Sequence, residues 1–337
     1  MQVVDAKKIQ KIVVLGTGGT IAGTATSAAD HTGYTAGQLG VQHLLDAVPG
    51  LNDALLGAAL VCEQVAQLDS KDMDHATWQA LAQRCTHWLA QPDVGGIVIT
   101  HGTDTLEETA WFLQQVLATS KPVVLTCAMR PATALTPDGP QNLLDALAVV
   151  HDPMARGVLA VCAGRIHSAR DVQKVHPYRL DAFSSGESGP VGWVEQGRVR
   201  WAHAMNTPHA HGAPHAHARQ ALTQPAVDWP WVAVLNSHAG ADARQASALV
   251  MAGVKGLVVA GTGNGVFHPV DYTLLNRKVS APRLGHAYSV HGITGSLGWA
   301  LAPVFLVGIS SLHDRETAYL SAAVLYVVVL AVLYWKR

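Results

Sequence analysis

The sequence predicts an α/β protein, with a larger N-terminal domain on a parallel sheet, a smaller α/β domain behind it, and an atypical apolar tail. Three observations predict it. Short apolar runs alternate with stretches of helical period from residue 11 to about 265. One Ala-, Pro- and His-rich stretch, 201–230, interrupts that alternation. Near the C-terminus charge disappears: there is no Asp, Glu, Lys or Arg between Arg283 and Asp314, nor between Glu316 and Lys336.

The elements follow in order. KIVVLG, from residue 11, is an uninterrupted β-branched run and reads as a buried strand. GGIVIT (95–100), PVVLTCA (122–128) and RGVLAVCAG (156–164) read the same way. Runs of this kind suit a parallel sheet covered on both faces. Between them, TWQALAQRCTHWLAQ (77–91) and TLEETAWFLQQVLA (105–118) repeat apolar positions at three and four and predict helices. Thr105 with Glu108 predicts a capping box at the start of the second. Residues 201–230 lack apolar periodicity and are expected to be a linker; its five histidines (His203, His209, His211, His215 and His217) read as solvated low complexity, with a metal site as the alternative. WVAVLNSH (231–238) predicts a strand, ARQASALVMAG (243–253) a helix, and GLVVAGTGNG (256–265) a strand ending in a Gly-rich turn.

At 337 residues and 49% hydrophobic content, the chain can bury one large core or two ordinary ones. A net charge of −1 gives no pull toward nucleic acid. Cys62, Cys85, Cys127 and Cys162 are scattered, with no CxxC, which argues against a disulfide framework or a zinc site and suits a reducing compartment. The N-terminus shows no signal-peptide pattern, so the expected location is cytoplasmic.

Binding crevices of open parallel sheets lie beyond the carboxyl ends of the strands. Those ends carry Gly18, Gly19 and Thr20, then His101, Gly102, Thr103 and Asp104, then Ala128, Met129 and Arg130. The second domain offers Thr262, Gly263 and Asn264. A dinucleotide loop is disfavoured, because Ile21 stands where the third glycine of GxGxxG belongs. Walker, GxSxG and HExxH motifs are missing from the sequence. Thr20 and Thr103 either satisfy loop backbone groups or act as nucleophiles, and a threonine hydroxyl needs a base and an orienting cation for that task. His101 reads as a hydrogen-bonded strand-end residue.

TGGTIAG (17–23) and ITHGTDTLEETA (99–110) resemble the two signatures of the bacterial-type L-asparaginase/glutaminase family. YTAGQLG (34–40), DSKDM (69–73), AMRP (128–131), DGPQNLLDA (138–146) and RDVQKVH (170–176) fall in family order. The resemblance runs from about Lys11 to Gly265. It implies hydrolysis of the side-chain amide of L-asparagine through a threonine nucleophile and an acyl-enzyme, with no cofactor and no metal. Glutamine is a possible second substrate, and a homotetramer is the family assembly. By resemblance, Thr20 is the nucleophile, Tyr34 assists it from a loop, and Thr103, Asp104 and Lys174 form a relay. Ser70, Asp104, Thr103 and Gly19 hold the substrate, Ala128 lies beside the amide, and Asn264 completes a neighbouring subunit's site.

The resemblance stops near Phe267. The domain reading is therefore a catalytic domain at 1–200, a linker at 201–230, a partial second domain at 231–267 and a non-family tail at 268–337. A change of reading frame, which would impair catalysis, explains the tail. A membrane hairpin is the alternative, because Thr317 to Trp335 is apolar over nearly the length of a bilayer span.

Overall fold

The computed structural model describes residues 9–202, 218–219 and 222–261. The five linker histidines, Asn264 and the tail at 268–337 lie outside the described residues. The chain divides into two compact units, Met1–Trp229 and Pro230–Arg337.

The first unit is built on an eight-stranded sheet. Its strands are β1 (Lys11–Gly18), β2 (Ala59–Leu68), β3 (Val94–Thr100), β4 (Pro122–Thr126), β5 (Gly157–Cys162), β6 (Arg165–Ser168), β9 (Gly192–Glu195) and β10 (Arg198–Trp201). The spatial order is β10-β9-β6-β5-β4-β3-β1-β2. The five strands from β2 to β5 run parallel. The last three pair antiparallel, so the sheet is mixed. A separate short ribbon pairs β7 (Gln173–Lys174) with β8 (Phe183–Ser184).

Side-chain alternation explains why helices cover both faces. Ile12 and Val14 of β1 point into one core with Val98, Val124 and Leu159. That core is closed by α1 (Val41–Asp46) and α5 (Gly139–His151), through Leu45, Leu143 and Leu147; the short α2 (Leu51–Ala54) adds Leu51 and Ala54 at its edge. Val13 and Leu15 point the other way, into a core with Ile97, Ile99 and Leu125. There α3 (His75–Leu89) contributes Leu81 and Cys85, and α4 (Leu106–Val116) contributes Leu106 and Leu113. A period of two in the strands thus sorts one apolar run between two layers.

The strands predicted at 95–100, 122–128 and 156–164 are β3, β4 and β5, and the two predicted helices are α3 and α4. The capping box does not form: Thr105 precedes α4 but makes no side-chain cap. Its Oγ1 donates instead to the Ser70 carbonyl at 2.8 Å, which ties the start of α4 to the turn after β2.

Residues 201–230, read as a linker, begin inside β10 at Trp201. They end packed on α3: Gln79 Nε2 donates to the Gln224 carbonyl at 2.5 Å, Ala226 N donates to Gln79 Oε1 at 3.1 Å, and the Trp229 ring lies 5.3 Å from that of His75.

In the second unit, β11 (Val232–Asn236) and β12 (Gly256–Ala260) pair in parallel across α6 (Arg244–Met251), within the predicted spans. Among the described residues no helix is long and apolar enough to cross a membrane; the predicted tail spans lie outside them.

Candidate active site

The order β2-β1-β3 makes β1 the strand from which the chain winds to both sides. At such a switch point the loops leaving two neighbouring strands diverge, and a crevice opens at their carboxyl ends. Those loops carry most of the predicted site residues.

After β1 the backbone takes positive φ twice, 99° at Gly18 and 81° at Gly19, and enters a 3-10 turn at Thr20–Ala22. A Cβ at Gly19 would lie 2.2 Å from Gly102 Cα and 2.4 Å from Gly102 N. A Cβ at Gly102 would meet Ser70 Oγ at 2.4 Å. The loops after β1 and β3 therefore touch backbone to backbone, with glycine the residue that fits at the contact, and the Ser70 side chain from the loop after β2 packs against Gly102. Thr20 and Thr103, each next in sequence to one of these glycines, are drawn to the same crevice, and both are buried.

Each threonine has its own partner. Thr20 Oγ1 lies 2.6 Å from Tyr34 Oη. Tyr34 is brought there by a returning loop: Thr24 and Thr35 exchange two backbone hydrogen bonds of 2.9 Å, and Gly37 N donates to the Gly19 carbonyl at 3.0 Å. Asp30 stiffens the loop tip by accepting from the backbone N–H groups of Thr32 and Gly33, and the Gly33 hydrogen bond in particular holds its carboxyl below the ordinary range.

Thr103 Oγ1 accepts from Lys174 Nζ at 2.8 Å, and the same ammonium reaches Asp104 Oδ1 at 2.5 Å. The Lys174 backbone N–H donates to the Glu107 carboxylate, so α4 anchors the short strand that carries the lysine. Ser70 Oγ accepts from Asp104 N at 3.1 Å. The lysine side chain is 18% exposed and the Asp104 carboxylate 49%, which leaves the latter a free side toward solvent.

Ala128 is buried after β4, where a Cβ on Gly139 would stand 2.9 Å from Ile21 Cγ1 and 3.6 Å from Ala128 Cβ. The third strand end thus abuts the 3-10 turn of Thr20. Asp138 shapes this corner, accepting from Met129 N at 2.9 Å and Arg130 N at 3.0 Å. Beneath it, Cys127 Sγ and Cys162 Sγ lie 3.1 Å apart as free thiols, and burial pushes the Cys127 thiol well up.

The described part of the predicted set, Gly19, Thr20, Tyr34, Ser70, Thr103, Asp104, Ala128 and Lys174, is gathered around one crevice, while Asn264 lies outside the described residues. Sequence reasoning missed Asp138, Glu107 and the side chains behind His101. His101 is fully buried: its Nδ1 is 2.7 Å from the Gly102 carbonyl and its Nε2 3.0 Å from Thr109 Oγ1, which accepts from Trp78 Nε1 at 2.9 Å. Burial lowers its pKa to about 4. The spacing of Trp78 and Thr109 on separate helices carries no local signal for this chain.

Chemically, the site offers two hydroxyls, a phenol against one, an ammonium against the other, and a half-exposed carboxylate. An ammonium within hydrogen-bond reach lowers the cost of removing the Thr103 proton, and backbone N–H groups of closely packed glycine loops can face a developing oxyanion. Among the described residues no group of three or more His, Cys, Asp or Glu is placed to hold a metal.

Comparison with known proteins shows the family. Residues 11–207 match the family model described as asparaginase, N-terminal. The chain is 38% identical over 263 residues to L-asparaginase 2 of Bacillus subtilis, covering 77% of this chain and 68% of that protein. It is 39% identical over 266 residues to a glutaminase-asparaginase of Pseudomonas aeruginosa, covering 78% and 71%. A solved structure described as a probable cytoplasmic L-asparaginase from Campylobacter jejuni superposes with a TM-score of 0.69 at 38% identity, covering 80% of this chain and 81% of that one. With the family model spanning more than half of its length and relatives matched over two thirds of theirs, this chain belongs to the asparaginase family.

Proposed function

We propose that the protein hydrolyses the side-chain amide of L-asparagine to L-aspartate and ammonia, with Thr20 as the nucleophile. Thr20 Oγ attacks the amide carbon while Tyr34 takes part in removing its proton. The tetrahedral oxyanion faces backbone N–H groups near Gly19 and Thr103. The proton taken from Thr20 passes to the amide nitrogen, the C–N bond breaks and ammonia leaves. The threonine ester is then hydrolysed by water that the Thr103–Asp104–Lys174 group activates, the water's proton returning to Thr20 Oγ. Asp104 pairs with the α-ammonium, Ser70 binds at the α-carboxylate end, and Ala128 lines the amide corner. No cofactor takes part.

The observation that carries this reading is the Gly19–Gly102 contact, which brings the Thr20–Tyr34 pair and the Thr103–Lys174 pair to one crevice. The reading includes a catalytic domain over 1–200 and a homotetramer in which Asn264 reaches a neighbouring subunit. It also includes a cytoplasmic location, in keeping with the description of the Campylobacter relative.

Ammonia release tests it. Thr20→Ala is expected to lower kcat by about six orders of magnitude, as removal of a covalent nucleophile does, while aspartate still binds by calorimetry. Comparable turnover by Thr20→Ala would remove the nucleophile assignment. Running glutamine beside asparagine measures the second substrate that the Pseudomonas relative's name records for that protein.

A second reading has its own observation. The alignments leave the C-terminal region unmatched, which favours a chain whose site is incomplete. Wild-type turnover at or below the rate of Thr20→Ala would support that reading.

A further inference from the structure

We propose that His101 is a positioning residue that fixes the Gly102–Thr103 peptide unit so that the Thr103 N–H faces the crevice as an oxyanion donor. This deepens the hydrolase reading above and rests on it.

The polarity of the buried chain admits one arrangement. The indole Nε1–H of Trp78 only donates, so Thr109 Oγ1 accepts it at 2.9 Å. The Gly102 carbonyl only accepts, so the proton of His101 sits on Nδ1, 2.7 Å away. Nε2 is then bare and accepts the Thr109 hydroxyl proton at 3.0 Å. The chain thus runs Trp78 to Thr109 to His101 to Gly102, with each proton placed. Burial keeps the imidazole neutral down to a pKa of about 4, so the order holds through the neutral range.

The consequence lies in the peptide plane. In a trans peptide the C=O and N–H point in opposite directions. Drawing the Gly102 carbonyl toward the imidazole turns the Thr103 N–H away from α3 and α4. Gly102 needs this clamp because it has no Cβ, and its flanking peptide rotates more freely than that of any other residue. A larger side chain cannot replace the clamp, since a Cβ there would strike Ser70. The buried histidine thus supplies, from behind, the orientation that the glycine cannot supply for itself.

The test combines kinetics with an activity-independent readout. In the full-length protein with 15N-labelled histidine, the imidazole resonances of His101 are expected to show a protonated Nδ1 and a bare Nε2, unchanged from pH 5.5 to 8. His101→Ala is expected to lower kcat about 100-fold, the loss typical of one oxyanion donor, with KM and aspartate affinity within about threefold. His101→Asn places an amide N–H near the lost Nδ1 and is expected to recover most of the rate; His101→Gln reaches the Nε2 position and is not. Should His101→Ala fail to fold, Thr109→Val frees Nε2 and is expected to lower kcat about fivefold while moving the Thr103 amide resonance. A proton on Nε2 overturns the proposal, as does a folded His101→Ala with unchanged kcat or with its loss in KM alone. If the wild type releases no ammonia, the hydrolase reading fails by itself. The tautomer and the Thr103 amide shift then still decide whether the clamp exists.

Discussion

At the scale of single residues, the site depends on two positions where a methyl group has no room. Gly19 would place its Cβ on backbone atoms of Gly102, at a φ of 81° that already disfavours alanine, so strand ends must separate to admit it. Gly102 would meet Ser70 Oγ and Cβ first, a smaller and partly movable obstacle. Gly19→Ala is therefore expected to destabilise more than Gly102→Ala, by about 3 against about 1–2 kcal/mol, with both losing nearly all turnover. Thermal melts and ammonia release measure the two effects, and equal, small losses would show that the loops part easily. The buried imidazoles set a second expectation. Burial lowers the pKa of His101 and of His167 to about 4, with the Arg165 charge a further cause at His167. Both folded values lie below the ordinary 6.5, so the unfolded chain takes up more protons as the medium acidifies. The stability they contribute is complete above about pH 6.5 and is lost as pH falls toward 4, by up to about 3 kcal/mol for each histidine. Urea melts across that window check it; His101→Asn, which cannot titrate, is expected to show a shallower decline.

At the scale of elements, strand ends are held by side chains that sit where helix caps are expected. Asp138 occupies the residue before α5 but makes no cap to its own helix. Both its oxygens turn back to the loop after β4, and Oδ2 also accepts from Asn142 Nδ2 at 3.3 Å. Asp138→Ala leaves two buried-side N–H groups without an acceptor and is expected to cost about 2–3 kcal/mol; Asp138→Asn, which keeps one acceptor, about half that. Because Ala128 lies in the same corner, kcat is expected to fall with stability in both variants; a stable variant with normal turnover would uncouple the bracket from the site. The same displacement explains what could be read from sequence. The strands β1, β3, β4 and β5 were legible because they are buried on both faces and read as unbroken apolar runs. β2 was not, because it is an edge strand whose residues, ALVCEQVAQL, are half-exposed and mixed in polarity. The Thr105–Glu108 pattern suggested a capping box, yet the threonine hydroxyl finds the Ser70 carbonyl, a tertiary partner that no local window contains. As candidates, Thr20, Thr103 and Asp104 were legible from their place at strand ends, whereas Tyr34 and Lys174 were legible through motif resemblance alone. The Trp78–Thr109–His101 chain was not, since its three members meet only when α3 and α4 pack on β3.

At the scale of the whole molecule, the described residues of the two units bury their apolar side chains to very different degrees. In the first, Ile12, Val13, Val14 and Leu15 of β1 are all fully buried between helical layers. In the second, β11 and β12 form the same parallel ladder, yet Val232, Val234, Val258 and Val259 are 50%, 66%, 54% and 43% exposed. On α6, Val250 and Met251 are 62% and 83% exposed. A two-stranded sheet gains little stability from its hydrogen bonds alone, and a parallel pair normally needs cover on both faces. Local opening follows local burial, so the ladder hydrogen bonds of β11 and β12 are expected to open far more often than those of β1, β3 and β4. Hydrogen exchange read by mass spectrometry measures this directly. Peptides covering 232–236 and 256–260 are expected to exchange orders of magnitude faster than peptides covering 11–18, 94–100 and 122–126, at the same pH and temperature. Equal protection in the two sets would mean that these valines are covered in the assembled protein. A concentration dependence of that protection would then identify the cover as other copies of the chain, since dilution uncovers an intersubunit face and leaves an intrachain one intact.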